Sequence, residues 1–423
     1  MGLCLPPCGC GADGCGADVN GRRAYAAVTA AYWAFMLSDG ALRMLVLLHF
    51  NSLGFSPIQL AWLFLLYELA GIVTNLSAGW IAARFGLAFT LYAGLGLQIA
   101  ALAVLAQLDP GWSVGASVIF VMAVQGASGV AKDLAKMSSK SAVKLLAPEG
   151  EGGLFRWVAL LTGSKNAVKG LGFFLGAALL AWTGFQVSVW AMAGVLTVIL
   201  IAVAAFLPPG LPVGKKGVKF RQVFSSDPRI NRLSLARMFL FGARDVWFVV
   251  GIPVYFQMVL SDGTAEGRRE AFFLIGGFMA LWIIAYGAVQ AVAPRLLAGR
   301  ATPASAASWV AVLTVIPFAL AGLALAAGGP SPWLTGALVA GLLTFGFVFA
   351  VNSSLHSYLI LAFTSAERVT MDVGFYYMAN AAGRLLGTAL SGISYQAGGL
   401  SLCLATAGAM AAASWLAMRR VAP

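Results

Sequence analysis

Residues 186–207 read QVSVWAMAGVLTVILIAVAAFL, a run of 22 residues without a charged side chain. A helix that crosses the hydrocarbon of a bilayer needs about 20 mostly apolar residues, so this segment is long enough to span it. The whole chain of 423 residues is similar, since 60% of it is hydrophobic and only 10% is charged. Soluble domains carry about 25% charged residues, so this composition excludes a soluble enzyme, a disordered chain and a disulfide scaffold. We expect a helical integral membrane protein, because no series of short alternating strands is visible.

Twelve apolar segments of spanning length can be identified, and a basic connector divides them into six and six. The predicted spans are 24–50, 57–82, 88–108, 113–132, 157–181, 186–207, 233–257, 271–292, 303–327, 332–355, 372–395 and 399–418. The predicted fold is an all-α polytopic membrane protein with two six-helix pseudo-repeats. The predicted domains are a disordered Cys/Gly-rich cytoplasmic tail (1–21), an N-terminal bundle (22–207), a cytoplasmic central loop (208–232) and a C-terminal bundle (233–423).

The positions of Lys and Arg predict the orientation of the chain. If the N-terminus is cytoplasmic, the cytoplasmic segments hold nineteen of the 27 basic residues, and the outer loops hold only Arg268 and Arg269. Cytoplasmic loops of membrane proteins carry the excess of Lys and Arg, so both termini should be cytoplasmic. We expect the protein in the inner membrane of a bacterium.

Four of these basic residues form a stripe after the fourth span. They recur every four residues, at Lys132, Lys136, Lys140 and Lys144. On a helix the stripe lies either on anionic lipid headgroups or beside the inner mouth of the protein, where it attracts an anionic solute. Lys132 and Lys136, nearest the end of the span, are the best placed to touch such a solute.

The two halves share short repeats. Phe35–Asp39 aligns with Phe241–Asp245 at an offset of 206, and Lys169–Gly172 aligns with Arg384–Gly387 at an offset of 215. Parallel repeats of six spans are a feature of secondary transporters, whose substrate site lies between the halves near the bilayer midplane. The repeat therefore predicts a transporter with a central site.

Nine charged residues lie within the predicted spans, apart from Lys132 and Asp372, which are terminal residues of their spans. The cations are Arg43, Lys165, Lys169, Arg237, Arg244 and Arg384, and the acids are Asp39, Glu68 and Asp245. Each costs about 2.5–3.5 kcal/mol at a helix centre, so such residues usually face the bundle interior or a wet cavity. Asp39–Arg43 and Arg244–Asp245 are candidate structural ion pairs, and Arg237 is near enough to a helix end to snorkel.

The cations outnumber the acids, which favours a small polyanionic substrate. Guanidinium groups bind phosphate-like oxyanions in a bidentate manner, and Lys supplies a compact charge. The predicted substrate-binding residues are Arg43, Lys165, Lys169, Arg244, Arg384, Lys132 and Lys136. The acids Asp39, Glu68 and Asp245 either carry coupling protons or orient the arginines.

The remaining cysteines and histidines predict no catalytic or metal centre. Four thiols near the N-terminus are weak candidates for a soft metal ion or a trivalent metalloid, because their spacing is not a regular zinc pattern; they are Cys4, Cys8, Cys10 and Cys15. His49 and His356 are far apart in the map of spans, and no nucleophile and base converge. We expect no cofactor, no enzyme activity and no nucleic-acid partner.

The twelve spans, the basic central loop and the two–three loop ending in Arg84-Phe85-Gly86 resemble the major facilitator superfamily. Ala83 stands where that superfamily has an Asp before the Arg, so the gating salt bridge of that Asp is not expected here. Four stretches are more specifically similar to the ArsJ-type organoarsenical efflux permeases of bacterial arsenic resistance; they are residues 31–43, 131–144, 162–169 and 241–247.

That resemblance implies a substrate and a partner. The substrate is 1-arseno-3-phosphoglycerate, which a glyceraldehyde-3-phosphate dehydrogenase makes from arsenate and which hydrolyses after export. It implies a multi-pass efflux permease that works by alternating access and confers arsenate resistance, and we expect a monomer. The alternative is a major facilitator antiporter for another organophosphate, an organic anion or a drug.

Overall fold

The chain folds into long helices, and its described part contains no strand. The computed structural model describes residues 12–85, 87–146, 153–206, 225–297, 300–364 and 369–421. The first half contains α1 (Ala12–Ser52), α2 (Pro57–Phe85), α3 (Leu87–Leu105), α4 (Val114–Leu146), α5 (Gly153–Thr183) and α6 (Phe185–Phe206). The second half contains α7 (Pro228–Val246), a π-helical turn (Trp247–Gly251), α8 (Ile252–Leu260), α9 (Ala265–Leu296), α10 (Pro303–Ala327), α11 (Pro332–Phe363) and α12 (Val369–Arg419).

Eleven helical stretches of the described chain are long and apolar enough to cross a bilayer. The last of them, Asp372–Arg419, has 48 residues. At 1.5 Å per residue it would be about 70 Å long, more than twice the thickness of the hydrocarbon. Its backbone leaves helical geometry at Gly398 and at Gly399, which has a φ of 62°. The stretch is therefore two helices joined at this break, which gives twelve helical segments of spanning length in the part of the chain that the structure describes.

The seventh crossing is continuous from Pro228 to Leu260 but is not a regular α-helix. Its middle is the π-helical turn, followed by Pro253, which has no N–H to donate. The hydroxyl of Ser391 on α12 accepts from the backbone N–H groups of Val250 (3.2 Å) and Gly251 (3.3 Å). The irregular turn thus keeps its backbone hydrogen bonds inside the membrane, as the low dielectric requires.

The two halves surround a common axis. The first and seventh crossings are central, since 78% and 83% of their apolar windows are buried, whereas α6 and α10 are peripheral at 28%. The halves meet where α2 packs on α12 and where α5 packs on α9. Away from the basic connectors these contacts are close: a Cβ on Gly392 would lie 2.6 Å from the carbonyl oxygen of Pro57.

Two predicted boundaries differ from the structure. The fourth helix continues to Leu146, fourteen residues past the end predicted for the fourth span at 132, and includes the lysine stripe. The first helix begins at Ala12, inside the segment predicted as a disordered tail. The continuation of α4 contains Leu, Lys and Ala, which are good helix formers, so the end of its apolar run does not end the helix. Residues 1–11 of the predicted tail and 208–224 of the predicted loop lie outside the described residues.

Candidate functional site

A cavity of about 210 Å³ lies between the two halves. Residues of α1, α2, α4 and α5 line it on one side, and residues of α7, the π-helical turn, α9, α11 and α12 line it on the other. On α1 the lining extends as far as Arg43, and on α12 as far as Arg384; both residues lie well before the outer ends of their crossings, at Ser52 and Gly398. The cavity therefore extends from the middle of the bundle toward the end that carries the basic connectors.

In the first half, a buried carboxylate of α1 is bonded to α5. The Oδ2 atom of Asp39 accepts from the Nζ atom of Lys169 at 2.7 Å, and Oδ1 accepts from the hydroxyl of Tyr67 at 2.5 Å. The helices approach closely here, since a Cβ on Gly172 would lie 3.1 Å from the backbone nitrogen of Ala41. The small residues let Lys169 reach across to Asp39.

A longer ion-pair network joins the two halves. Glu68 on α2 binds Arg43 on α1 at 3.0 Å and Arg384 on α12 at 2.6 Å, through the same Oε1 atom. Arg384 also binds Asp245 on α7 at 3.3 Å, and Asp245 binds Arg244 at 2.5 Å. The five side chains form one line from α1 to α7, and the Glu68–Arg384 bond crosses between the halves. Burial of these groups removes their charges from water, which is costly. Each charge is next to a partner of opposite sign, and this attraction offsets the cost of desolvation.

Of the two candidate ion pairs within one helix, the structure contains one. The predicted Asp39–Arg43 pair is wrong, because Asp39 binds Lys169 and Arg43 binds Glu68. Lys169 and Arg384 have no acid in their own spans, as expected, but each binds acids of neighbouring helices. The Arg244–Asp245 pair is present.

The lysine stripe on α4 reaches the cavity with its first two members. Lys132 is buried, and its Nζ lies 4.1 Å from the centre of the Tyr67 ring. Lys136 donates to the amide oxygen of Asn75 at 2.5 Å and binds Asp133 at 3.2 Å. Lys132 and Lys136, which the sequence predicts as the members of the stripe nearest a solute, therefore both line the cavity. The side chains of Lys140 and Lys144 lie outside the described residues.

The sequence reasoning missed two charged residues of the cavity. Arg237 was expected to snorkel, but it is 5% exposed and lines the cavity. It precedes Arg244 by seven residues, a spacing that places both on one helix face, so the heptad was an available signal. Asp133 is 1% exposed and accepts from the hydroxyl of Thr74 at 2.7 Å. Asp133 was not among the predicted charges of the spans, because the fourth span was predicted to end at residue 132.

The described lining carries a surplus of positive charge. The cations are Arg43, Lys132, Lys136, Lys165, Lys169, Arg237, Arg244 and Arg384. Against these eight stand four carboxylates, of which three line the cavity and Asp39 is bonded to Lys169. The difference is four positive charges in a space closed by protein on both sides.

Other candidate centres receive no support from the geometry. Within the described residues, no group of three or more His, Cys, Asp or Glu side chains is placed to hold a metal ion. Cys4, Cys8 and Cys10 lie outside the described residues, and so does the side chain of Cys15. His49 stacks on Phe185, with ring centres 4.2 Å apart, and His356 is enclosed in the second half.

Two halves of six helical segments with a charged cavity between them are the architecture of a secondary membrane transporter. The family model of the Major Facilitator Superfamily matches residues 28–358, and the chain belongs to that superfamily. No curated protein sequence matches the chain.

Solved structures of two transporters share the fold. A crystal structure of nucleoside transporter NupG has 14% sequence identity and a TM-score of 0.71, over 94% of this chain and 98% of that chain. A POT family transporter in complex with a thioalcohol conjugated peptide has 12% identity and a TM-score of 0.71, over 95% of this chain and 97% of that chain. These identities establish the fold and leave the solute to be argued from the cavity.

Proposed function

We propose that this protein exports a small anionic solute with phosphate or arsenate ester groups, by alternating access between its two halves. The observation that carries the proposal is the surplus of four cations around the cavity. In a site of low dielectric a polyanion balances such a surplus, and Arg and Lys both bind its oxygens with charge-assisted hydrogen bonds.

The size of the cavity favours a small solute over a drug. The cavity has a volume of about 210 Å³. Pockets for drug-sized ligands occupy about 300–1,000 Å³. A cationic drug would also meet the surplus of positive charge. Both arguments favour an organophosphate-sized anion among the alternatives.

The particular solute that we propose is 1-arseno-3-phosphoglycerate. Its support is the similarity of residues 31–43, 131–144, 162–169 and 241–247 to ArsJ-type permeases. The solute has a phosphate at one end and an arsenate ester at the other, and cations line both halves of the cavity. Under this proposal a glyceraldehyde-3-phosphate dehydrogenase supplies the solute, and the permease is not itself an enzyme. It works as a monomer in the bacterial inner membrane, with both termini cytoplasmic.

The ion-pair network supplies a way to couple solute binding to movement of the halves. Glu68 holds Arg384 across the halves at 2.6 Å and holds Arg43 at 3.0 Å. An entering anion competes with Glu68 for these guanidinium groups and weakens the bond between the halves. The solute then binds the two conformations with different affinity, which is the condition for driving a conformational change. In this scheme Asp39, Glu68 and Asp245 orient the cations when the solute is absent.

Arsenate resistance tests the proposed solute. Cells that express the dehydrogenase and this protein should tolerate more arsenate than cells with the dehydrogenase alone, and should release more arsenic into the medium. Arg229→Gln is a matched control, because Arg229 is an exposed cation on α7 that binds Asp227 at 2.9 Å, away from the cavity. This variant should confer the same resistance as the unchanged protein.

Two outcomes would separate the solutes. Equal arsenate sensitivity with and without the protein would exclude the arseno-ester as solute. Inside-out vesicles that nevertheless accumulate labelled glycerol 3-phosphate would then identify the organophosphate alternative.

A further inference from the structure

Arg237 differs from the other guanidinium groups of the cavity in having only neutral partners. Its Nε atom donates to the amide oxygen of Asn380 at 3.2 Å. Its Nη1 atom donates to the carbonyl oxygen and the hydroxyl of Ser353, both at 3.0 Å. In the described part of the chain it forms no ion pair, whereas Arg43, Arg244 and Arg384 each bind a carboxylate. A buried cation without a counter-ion is costly, so this one attracts an anion strongly.

Two N–H groups of Arg237 are available to that anion. A guanidinium has five N–H donors, and the bonds to Asn380 and Ser353 use three of them. The Nη2 atom makes no hydrogen bond with any described residue and is not among the enclosed polar atoms without a partner. Since Arg237 lines the cavity, a solute can reach this pair of donors.

The position of Arg237 is fixed by aromatic packing. Its guanidinium carbon lies 4.0 Å from the centre of the Phe241 ring, and that of Arg244 lies 4.9 Å from the same centre. Both distances are measured to the same ring centre, so the two guanidinium carbons are at most about 9 Å apart. Arg244 is bonded to Asp245, so Arg237 is the guanidinium on this wall that lacks a counter-ion.

Neutral polar groups surround Arg237. The hydroxyl of Tyr286 and the Nε2 atom of Gln290 each lie 3.3 Å from the hydroxyl of Ser353. Gln290 also accepts from Asn166 of α5 at 3.0 Å, which places this polar group at the contact between the halves. Hydroxyls and amides of this kind bind phosphate oxygens and sugar or glycerol hydroxyls without adding a competing charge.

We infer that Arg237 forms a second anion subsite, which makes the transporter selective for solutes with two anionic ends. The inference rests on the proposed function, because it assigns one end of the same small anion to α7 of the second half. The other end lies toward the first half, where Lys132 lines the cavity and its Nζ lies 4.1 Å from the centre of the Tyr67 ring. Arg237 is thus a specificity residue, and solutes with one phosphate leave it uncompensated.

A structural role for Arg237 is the competing explanation, because its bonds tie α7 to α11 and α12. Loss of such a structural contact would lower the affinity for every solute by the same factor. Loss of an anion subsite removes the preference for a second anionic group and spares the first. The ratio of two affinities therefore distinguishes the explanations.

The experiment measures binding of two stable probes to the purified full-length protein at matched ionic strength. The probes are glycerol 1,3-bisphosphate, with two anionic ends, and glycerol 3-phosphate, with one. The unchanged protein should bind the bisphosphate about tenfold more tightly or better, because each charge-assisted contact contributes on this scale. Arg237→Gln should bind both probes with nearly equal affinity and should keep the affinity for glycerol 3-phosphate.

Two further variants keep the test decisive. Arg229→Gln removes an exposed cation of α7 that lies away from the cavity, so it should keep the preference for the bisphosphate. Arg237→Lys keeps the charge and should keep part of the preference, which tests the subsite even if the Gln variant does not fold. The subsite alone would be overturned if the Arg237 variants lost affinity for both probes by the same factor. It would also be overturned if the unchanged protein bound both probes with equal affinity. An unchanged protein that binds neither probe would overturn the proposed function together with it.

Discussion

The two halves place one carboxylate at the same point of their repeat but connect it differently. In the first half, Asp39 binds Lys169 at 2.7 Å, and both residues belong to that half. In the second half, Asp245 binds Arg384 at 3.3 Å, and Arg384 also binds Glu68 of the first half at 2.6 Å. The two ion pairs, Asp39–Lys169 and Asp245–Arg384, lie at equivalent positions of the repeat. Only the second also connects the halves, because Arg384 binds Glu68.

The difference extends to the cations near each pair. At the offset of 206 residues, Val249 of the second half corresponds to Arg43, and Ser38 of the first half corresponds to Arg244. The first crossing is a regular α-helix at this point, whereas the seventh passes into a π-helical turn at Trp247–Gly251. Each half therefore has an equivalent ion pair, but Arg43 of the first half and Arg244 of the second half lie at different depths along their crossings. Such asymmetry suits a solute whose two ends differ.

Arg384→Gln has the largest expected effect, because it removes the ion pair between the halves. Each carboxylate keeps another partner, since Glu68 still binds Arg43 and Asp245 still binds Arg244. The protein should therefore insert and fold. Two charge-assisted bonds are lost, each contributing about 1.5–3 kcal/mol, so export should fall by about 100-fold or more. The measurement is arsenic efflux from cells that make the arseno-ester, divided by the amount of protein in the membrane.

The charge-conserving variant Arg384→Lys is the control for this prediction. It keeps one positive charge near Glu68 and Asp245 but loses the planar fork, so its export should be intermediate. Export by Arg384→Gln at the level of the unchanged protein would show that the bond between the halves is not part of the transport cycle.

Lys169→Gln should have a smaller effect, of about tenfold on export, because its ion pair lies within one half. The variant replaces the cationic partner of the buried Asp39 carboxylate with a neutral amide and leaves the neutral hydroxyl of Tyr67 in place. A buried charge without a counter-ion lowers stability, and neutralising it should restore what was lost. Asp39→Asn in the Lys169→Gln background should therefore recover thermal stability and part of the export, as measured in a double-mutant cycle.

The equivalent cycle in the second half provides the contrast. Asp245→Asn should not rescue Arg384→Gln, because the bond from Arg384 to Glu68 remains absent. Equal rescue in both halves would mean that the two pairs have the same role, and the comparison would then fail.

Much of the fold was predictable because the bilayer imposes a length on apolar helices. The break at Gly398–Gly399 was visible as a glycine pair between two apolar segments, and the repeat at Asp39 and Asp245 predicted two similar halves. The end of α4 was not predictable in this way. Its Lys- and Ala-rich continuation past residue 132 is a good helix former, although it is too polar to count as a membrane span.

The members of the site were easier to predict than their partners. Charges inside apolar spans are conspicuous, and their cost predicts an interior position. Spacing within one helix suggested Asp39 with Arg43, but the close approach of α1 and α5 at Gly40 and Gly172 brought Lys169 nearer. Partners on different helices depend on tertiary packing, which a single sequence does not contain.

The smallest expected effect concerns the glycines beside the two pairs, which correspond in the repeat. A Cβ on Gly387 would lie 2.7 Å from the carbonyl oxygen of Gly242, and a Cβ on Gly172 would meet the carbonyl oxygen of Leu37. Both contacts are with backbone atoms, which cannot move aside as easily as a flexible side chain. Gly172→Ala and Gly387→Ala should each lose about 1–3 kcal/mol of stability through overpacking. Thermal unfolding of the purified variants measures this as a lower Tm.

Gly277→Ala is the matched control, because Gly277 lies in α9 with open space around its missing Cβ. Its Tm should stay the same or rise slightly, since Ala favours a helix by up to about 1 kcal/mol over Gly. The two test variants should then diverge in export. A Cβ on Gly387 would lie 2.9 Å from the Cβ of Asp245, so this variant displaces a member of the network that joins the halves. Gly172→Ala disturbs a contact within one half, and equal export by both variants would count against a special role for the second pair.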